Sequence, residues 1–375
     1  MTIGILKETG DENRVSLLPE AVKQLKNMQV AHVFVETDAG AGAFASNEDY
    51  LAAGAEIKNK PDILHLADVL IRIQPFTAEE LAIIKPDAVL LSVFQALGNP
   101  EITGPLVQSG LTTFSMDLVP RTTRAQSMDI LSSMATVAGY KAVLLAASLL
   151  PKFFPMFMTA AGTITPAKVL ILGAGVAGLQ AISTARRLGA VVEAFDVRSA
   201  VKEEVLSLGA KFVEVKGATE DTGAGGYAVE QSEDYKLKQQ NLIQEHAIKS
   251  DVVIATAQIP GRKAPLLITE ETISKMKPGS VIIDLAASTG GNCALTQNNE
   301  TKVCYGVTIV GQSNIPASMP ADASKMFGKN VLNFLKLLIT KEGNLYLNFS
   351  DDIVQGTCLT HQGQILHERV RQSVS

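Results

Sequence analysis

Short apolar runs alternate with amphipathic stretches along the first third of the chain. The runs that favour strands are Ile3–Ile5, Val33–Val35, Val69–Ile73, Val89–Val93 and Thr112–Ser115. Apolar runs of this length, bounded by turn residues, are typical of strands that a parallel sheet buries on both faces. Because helical patterns separate the runs, the sequence predicts an α/β domain.

The same alternation returns in the second half of the chain. Its predicted strands are Val169–Leu172, Val191–Phe195, Val252–Ala255, Val281–Ile283 and Val307–Val310. Helical segments rich in small or apolar residues, 121–150 and 322–338, separate the two regions. Tyr346–Phe349 and Ile353–Val354, around two aspartates, resemble a short hairpin.

A chain of 375 residues exceeds the size at which one hydrophobic core stops growing. We therefore predict two Rossmann-like, doubly wound parallel-sheet domains, separated by a cleft and joined by long crossing helices. The predicted domains are residues 1–131 plus 325–375, and residues 132–324. Ligands of such folds bind beyond the carboxyl ends of the strands, so we expect function in the cleft.

Composition excludes several classes of function. The net charge is −5 and no basic run occurs, which argues against nucleic acid as a partner. Cys293, Cys304 and Cys358 lack the spacing of metal ligands, so we predict no metal site and a reducing compartment. The apolar stretch 142–158 is interrupted by two prolines and a lysine, and we predict no membrane span.

A glycine-spaced motif carries the clearest chemistry. Gly173, Gly175 and Gly178 follow a predicted strand and open a predicted helix, and Asp196 ends the next strand. This arrangement is typical of a dinucleotide-binding βαβ unit, in which the helix N-terminus faces a pyrophosphate and the acid accepts hydrogen bonds from a ribose. The motif predicts NAD(H) rather than NADP(H), a preference that Arg198 softens. The candidate contacts are Gly173, Ala174, Gly175, Val176, Gly178, Asp196, Val197 and Arg198.

Four segments carry a resemblance over essentially the whole chain: Arg14-Val15 and the stretches 120–133, 156–163 and 277–286. They resemble the NAD(H)-binding component of the proton-translocating nicotinamide nucleotide transhydrogenases, relatives of alanine dehydrogenase. The resemblance implies that Arg121, Asp129 and Ser132 hold the nicotinamide and its ribose, and that Gln126 faces a second nucleotide. It adds Thr122, Thr123, Ser127 and Met128 as cofactor contacts. From spacing alone, Ser132 capping a helix with Asp129 near its start fits equally well.

The resemblance implies further cofactor contacts in the second domain. Gly225–Ala228 is similar to the family's mobile loop, whose tyrosine, here Tyr227, closes over bound nucleotide beside Gly226. Gln239 matches a position near the cofactor. Thr256, Ala257 and Gln258 would line the nicotinamide side, although the family more often has leucine at the position of Gln258.

Two other functions are weighed against a transhydrogenase. Alanine dehydrogenase needs a cation for the substrate carboxylate and an acid for the carbonyl, but Gln74, Gln95 and Ser288 stand where that family has lysine, histidine and an acid. Its carboxylate-binding arginine remains as Arg14, now expected to form a structural ion pair. The other function is a non-catalytic NAD(H)-sensing module that signals through the Tyr227 loop.

Direct hydride transfer between two nicotinamide rings needs no protein acid or base, only positioning and exclusion of water. The resemblance implies NADP(H) on a partner subunit and membrane-spanning subunits that couple transfer to proton translocation. It also implies a homodimer, peripheral on the cytoplasmic face of the inner membrane. In many family members membrane spans follow this region, so the chain is expected to be either a separately encoded subunit or a piece of a longer protein.

Overall fold

The computed structural model describes residues 1–215, 233–259 and 261–374. It contains two compact units, one formed by Met1–Met134 with Pro316–Ser375 and the other by Ala135–Ile315. The chain passes from the first unit to the second inside a long helix, Ile130–Leu149, and returns at the 3-10 turn Ile315–Ser318. The second passage therefore precedes the second long helix, whereas the predicted boundary at 324/325 lies inside that helix.

Six parallel strands form the centre of the first unit. They are β1 (Thr2–Ile5), β2 (His32–Glu36), β3 (Glu56–Lys58), β4 (Val69–Ile71), β5 (Val89–Ser92) and β6 (Thr112–Ser115), in the spatial order β3-β2-β1-β4-β5-β6. The connecting helices are α1 (Pro19–Asn27), α2 (Asn47–Ala52), α3 (Lys60–Leu66), α4 (Ala78–Ile83) and α5 (Thr103–Ser109). This order is that of a dinucleotide-binding fold and confirms the predicted Rossmann-like architecture.

Both faces of this sheet are buried, which explains the continuous apolar runs. Alternate residues point to opposite faces, so Ile3 and Ile5 enter one hydrophobic core while Leu70 and Leu90 enter the other. At about 25 cal/mol per Å² of buried apolar surface, these runs supply much of the free energy that favours folding. Helices therefore cover the sheet on both sides.

Helix α6 (Ile130–Leu149) connects the two units. Within the described part of the chain it is one helix long and apolar enough to cross a membrane, judged by length and composition alone. The core helix of a globular protein passes the same test. The apolar stretch singled out in the sequence was residues 142–158, so the absence of a span stays a prediction.

The second unit begins with an antiparallel hairpin and continues as another doubly wound sheet. Its strands are β7 (Phe157–Thr159), β8 (Gly162–Ile164), β9 (Lys168–Leu172), β10 (Val191–Phe195), β11 (Lys211–Val213), β12 (Val252–Ala255), β13 (Val281–Asp284), β14 (Thr301–Cys304) and β15 (Val307–Val310). The sheet order is β11-β10-β9-β12-β13-β15-β14, and only β14 is antiparallel. The helices are α7 (Val176–Arg187), α8 (Lys202–Ser207), α9 (Glu233–Lys249) and α10 (Glu270–Lys275). The chain order reverses between β9 and β12, which makes their carboxyl ends a topological switch point.

The C-terminal segment completes the first unit. It contains α11 (Pro320–Leu338), α12 (Asp352–Thr357), β16 (Cys358–His361), β17 (Gln364–Ile365) and α13 (Glu368–Val374). Strand β16 extends the first sheet antiparallel to β6, and β17 pairs with β16. The predicted hairpin at 346–354 is wrong, because the Asp351 carboxylate accepts hydrogen bonds from the N–H groups of Ile353 and Val354 and thereby starts helix α12.

Candidate nucleotide-binding site

The three motif glycines meet different steric demands at the end of β9. Gly173 has φ of +98°, and its N–H donates to the Phe195 carbonyl at 2.8 Å. A Cβ on Gly178 would lie 1.8 Å from the Gly173 carbonyl oxygen, and one on Gly173 would lie 2.6 Å from the Thr256 hydroxyl. A Cβ on Gly175 would meet no heavy atom of the described chain within 4 Å. Two glycines therefore allow close packing, and the third leaves space beside the backbone.

The open space at Gly175 lies at the N-terminus of α7. Gly175 is the N-cap residue and has no side chain to satisfy the first-turn N–H groups, and residues 176–178 carry no acid. Helix N-termini carry partial positive charge and unsatisfied donors, so this turn fits a pyrophosphate. Val176 is exposed beside it, whereas the Ala174 side chain is buried. The predicted glycine contacts are therefore brought together in one turn.

Asp196, at the end of β10, holds this turn in place. Its Oδ2 accepts the Ala174 N–H at 2.7 Å and Arg198 Nη2 at 2.9 Å. Its Oδ1 accepts the Arg198 backbone N–H at 2.9 Å and Nε at 3.0 Å. The carboxylate raises the pKa of the Arg198 guanidinium. A carboxylate offers about four acceptor positions, so ribose hydroxyls compete with Arg198 for Asp196. The neighbouring Val197 is exposed.

Thr256 follows β12 on the other side of the switch point. Its hydroxyl is 3.2 Å from the Leu172 carbonyl oxygen and 3.0 Å from that of Gly173, to which it donates. The N–H of Thr256 donates to the Leu172 carbonyl at 2.8 Å. Thr256 therefore ties the segment after β12 to the glycine turn.

The next two predicted contacts differ in what they have left to offer a ligand. Both the N–H and the carbonyl of Ala257 bond to the side chain of Asn292. Gln258 is exposed, and its Nε2 donates to the Thr289 hydroxyl at 3.2 Å. The side chain of Gln258 is thus the part of this segment that is best placed to reach a ligand.

The nicotinamide-site loop of the first unit is a 3-10 helix, Thr123–Met128, that precedes α6. Asn330 and Asn333 of α11 donate to the Ser127 carbonyl at 2.9 and 3.1 Å and fix the loop. Met128 is buried in the core, so its side chain packs and does not face solvent. The exposed candidates are Arg121, Thr122, Thr123, Gln126 and Ser127.

Asp129 and Ser132 are brought together at the start of α6. The Asp129 carboxylate accepts the Ser132 N–H at 3.0 Å and the Ser132 hydroxyl at 2.6 Å. It is thus Asp129, not Ser132, that caps the helix. The cap also orients the Ser132 hydroxyl.

Two of the predicted contacts, Gly226 and Tyr227, lie outside the described residues. Gln239 lies on α9 and is partly exposed. Their roles stay predictions.

The positions that correspond to alanine dehydrogenase chemistry have structural partners here. The Gln74 Oε1 accepts the Thr9 N–H and hydroxyl at 2.8 and 2.9 Å, and its Nε2 donates to the Thr9 carbonyl at 3.1 Å. Arg14 and Glu12 are both buried and form the expected ion pair, with Nη2 and Oε2 2.6 Å apart. An amide thus occupies the lysine position and ties two loops together.

Glu8 is a buried carboxyl that the sequence pattern did not single out. It accepts the N–H groups of Ile73 and Gln74 at 2.6 and 2.9 Å, just beyond β4. Burial is the largest cause that raises its pKa, from 4.5 to about 7, against the lowering effect of these two hydrogen bonds. Glu8 therefore couples the packing of this loop to pH.

We expect Glu8→Gln to flatten the pH dependence of stability of the first unit. The folded chain holds the Glu8 proton up to about pH 7, whereas the unfolded chain releases it near 4.5. Stability from this group is therefore present at low pH and is lost as pH rises through that window, by about 3 kcal/mol at most. Urea unfolding of wild type and variant from pH 4.5 to 8 measures the difference, and parallel curves would contradict this prediction.

The turn at Gly173, the acid that ends β10 and the switch point beside β12 define an NAD(H)-binding protein of the doubly wound class. Residues 4–138 match the N-terminal domain of alanine dehydrogenase/PNT, and residues 142–368 match the C-terminal domain. The chain belongs to the alanine dehydrogenase/PNT family. This confirms the resemblance drawn from the sequence and gives the chain an NAD(H)-binding role in an oxidoreductase family.

Transhydrogenases are more similar to this chain than an alanine dehydrogenase is. A chain of Rhodospirillum rubrum that is named as NAD(P) transhydrogenase subunit alpha is 48% identical over 377 residues, covering 98% of both chains. The crystal structure of a transhydrogenase from Sinorhizobium meliloti has a TM-score of 0.89 at 43% identity and covers 97% of this chain and 100% of that one. An L-alanine dehydrogenase structure has a TM-score of 0.80 at 25% identity, covering 100% and 99%.

Proposed function

We propose that the chain is the NAD(H)-binding subunit of a proton-translocating transhydrogenase. In this role it presents NADH for direct hydride transfer to NADP⁺ on a partner subunit, and membrane-spanning subunits couple transfer to proton movement. The observation that carries the proposal is a complete dinucleotide turn in a chain whose dehydrogenase positions, Gln74 and Gln95, hold amides. The relatives named transhydrogenase support it.

In this proposal the chain's own residues bind and orient. The turn at Gly175 holds the pyrophosphate, and Asp196 holds the adenosine ribose. Arg121, Asp129 and Ser132 hold the nicotinamide end. Asp129 supports the role through the cap that orients the Ser132 hydroxyl. NADH itself supplies the hydride, so no side chain has to transfer a proton.

Stopped-flow mixing tests the proposal. NADH and this chain are mixed with NADP⁺ on a transhydrogenase NADP(H)-binding domain, beside a pyruvate-plus-ammonia control. We expect rapid transfer that requires both proteins, and no reduction of pyruvate. NADH binding without transfer would favour an NAD(H)-sensing module, and pyruvate reduction would favour alanine dehydrogenase.

Gln126→Asn sharpens this experiment. Gln126 is exposed on the loop, and the proposal has it face the second nucleotide. The shorter amide is expected to spare NADH affinity and to lower the transfer rate by about tenfold, because misplacement by about 1 Å costs heavily in positioning. Equal losses in binding and transfer would count against this role.

We also propose a homodimer on the cytoplasmic face of the inner membrane, with the β7–β8 hairpin in its interface. Every residue of both strands is exposed, including Phe157, Met158 and Ile164, at 42%, 77% and 40% of their surface. Contiguous exposed apolar side chains mark interaction surfaces. The hairpin therefore has apolar surface to bury against a second copy.

We expect Met158→Ser combined with Ile164→Ser to weaken the dimer by about tenfold or more, since each removes roughly 1–2 kcal/mol of apolar burial. Sedimentation velocity across a concentration series measures the change. Leu66→Ser, at another exposed leucine, is the control and leaves association unchanged. An unaltered dimer in the double variant would remove the hairpin from the interface.

A further inference from the structure

We propose that Asn292 is a positioning residue for the nicotinamide side of the nucleotide site. It holds the backbone of residues 256–258 after β12, although no residue-level resemblance assigns it a role. The inference rests on the proposed NAD(H) binding at the switch point between β9 and β12.

The Asn292 side chain is fully buried and makes hydrogen bonds at both ends of its amide. Its Oδ1 accepts the Ala257 N–H at 3.1 Å. Its Nδ2 donates to the Ala257 carbonyl at 2.9 Å and to the Pro265 carbonyl at 2.8 Å. One side chain thus takes the place of a neighbouring strand where the segment leaves the sheet.

A buried carboxylate holds Asn292 itself. Asp284, at the end of β13, has no exposed surface, and its Oδ2 accepts the N–H groups of Asn292 and Cys293 at 2.7 and 3.0 Å. The same oxygen accepts the Thr296 hydroxyl at 2.6 Å. Hydrogen bonds to a charged acceptor are stronger than neutral ones. The Asn292 side chain is therefore presented from a rigid base.

The position of Ala257 reaches the cofactor turn through its neighbour. Thr256 donates to the Gly173 carbonyl, and a Cβ on Gly173 would lie within 2.6 Å of the Thr256 hydroxyl. The adenosine side depends instead on Asp196 at the end of β10, on the other side of β9. Loss of the Asn292 bonds should therefore disturb the nicotinamide side and leave the adenosine side intact.

Calorimetric titration of the intact chain with NADH and with ADP-ribose, which lacks the nicotinamide and its ribose, separates the two sides. For Asn292→Ala we expect the NADH dissociation constant to rise about tenfold, because the Ala257 groups lose their buried partner. ADP-ribose affinity is expected to stay within about twofold of wild type. Asn292→Ser, which leaves a smaller cavity and a hydroxyl, should fall between wild type and Asn292→Ala.

Gln244→Ala is the matched control. This amide lies in the same unit and donates to the Leu267 carbonyl at 2.7 Å, but it does not bond to residues 256–258. It should lower the melting temperature and leave the ratio of NADH to ADP-ribose affinity unchanged. Equal loss of both ligands in the Asn292 variants, or no loss, overturns the inference. If wild type fails to bind NADH, the proposed function fails first and the inference with it.

Discussion

Gly178→Ala is expected to destabilise the second unit and to abolish measurable NADH binding. The added Cβ would lie 1.8 Å from the Gly173 carbonyl oxygen, which is backbone and cannot rotate away. Helix α7 would have to move off its strand. Forced overpacking of this kind costs about 1–3 kcal/mol or more, and the shift would also displace the turn that receives the pyrophosphate. Urea unfolding and NADH titration measure the two effects.

Gly175→Ala is the matched control for that prediction. Its Cβ would meet no atom of the described chain within 4 Å, and its φ of −77° suits any residue. We therefore expect wild-type stability with NADH affinity reduced by about tenfold, because a methyl group would occupy the space beside the phosphate-binding backbone. If Gly175→Ala destabilised as much as Gly178→Ala, the steric assignment of the two glycines would be wrong.

Buried parallel strands were predictable because burial on both faces leaves a continuous apolar run. β9 and β10, at Lys168–Leu172 and Val191–Phe195, match the predicted runs within a residue. β3 was missed because Glu56–Lys58 is a short, largely polar strand at the sheet edge. The false hairpin arose where the β-branched pair Ile353-Val354 favoured a strand, and the capping side chain of Asp351 outweighed that preference.

The candidate site was predictable to the extent that its chemistry is local in sequence. The turn of Gly173, Gly175 and Gly178 announces itself because close packing and backbone access require glycine at fixed spacing. Asn292 carried no such signal. Its partners lie 35 and 27 residues away, and only folding brings its amide to the backbone of Ala257 and Pro265. The pairing of Asp196 with Arg198 was likewise anticipated only as an influence on specificity.

Asp196→Ala is expected to change which dinucleotide the chain prefers. NADH affinity should fall about 10- to 100-fold, because a ribose hydroxyl loses a charged acceptor worth about 1.5–3 kcal/mol. At the same time Arg198 loses the carboxylate to which its Nε and Nη2 donate. The guanidinium then becomes available to a 2′-phosphate, so NADPH affinity should rise relative to NADH. Parallel titrations with NADH and NADPH measure both changes.

Two further variants separate the acid from the cation. Arg198→Ala alone should bind NADH at least as tightly as wild type, because ribose hydroxyls no longer compete with the guanidinium for Asp196. Asp196→Ala combined with Arg198→Ala should lose NADH affinity without any gain for NADPH. A gain for NADPH that persists in the double variant would show that Arg198 does not contact the 2′-phosphate. If instead the gain vanishes, Arg198 is held inactive toward NADP(H) by the same carboxylate that selects NAD(H), and one ion pair sets the specificity of the site.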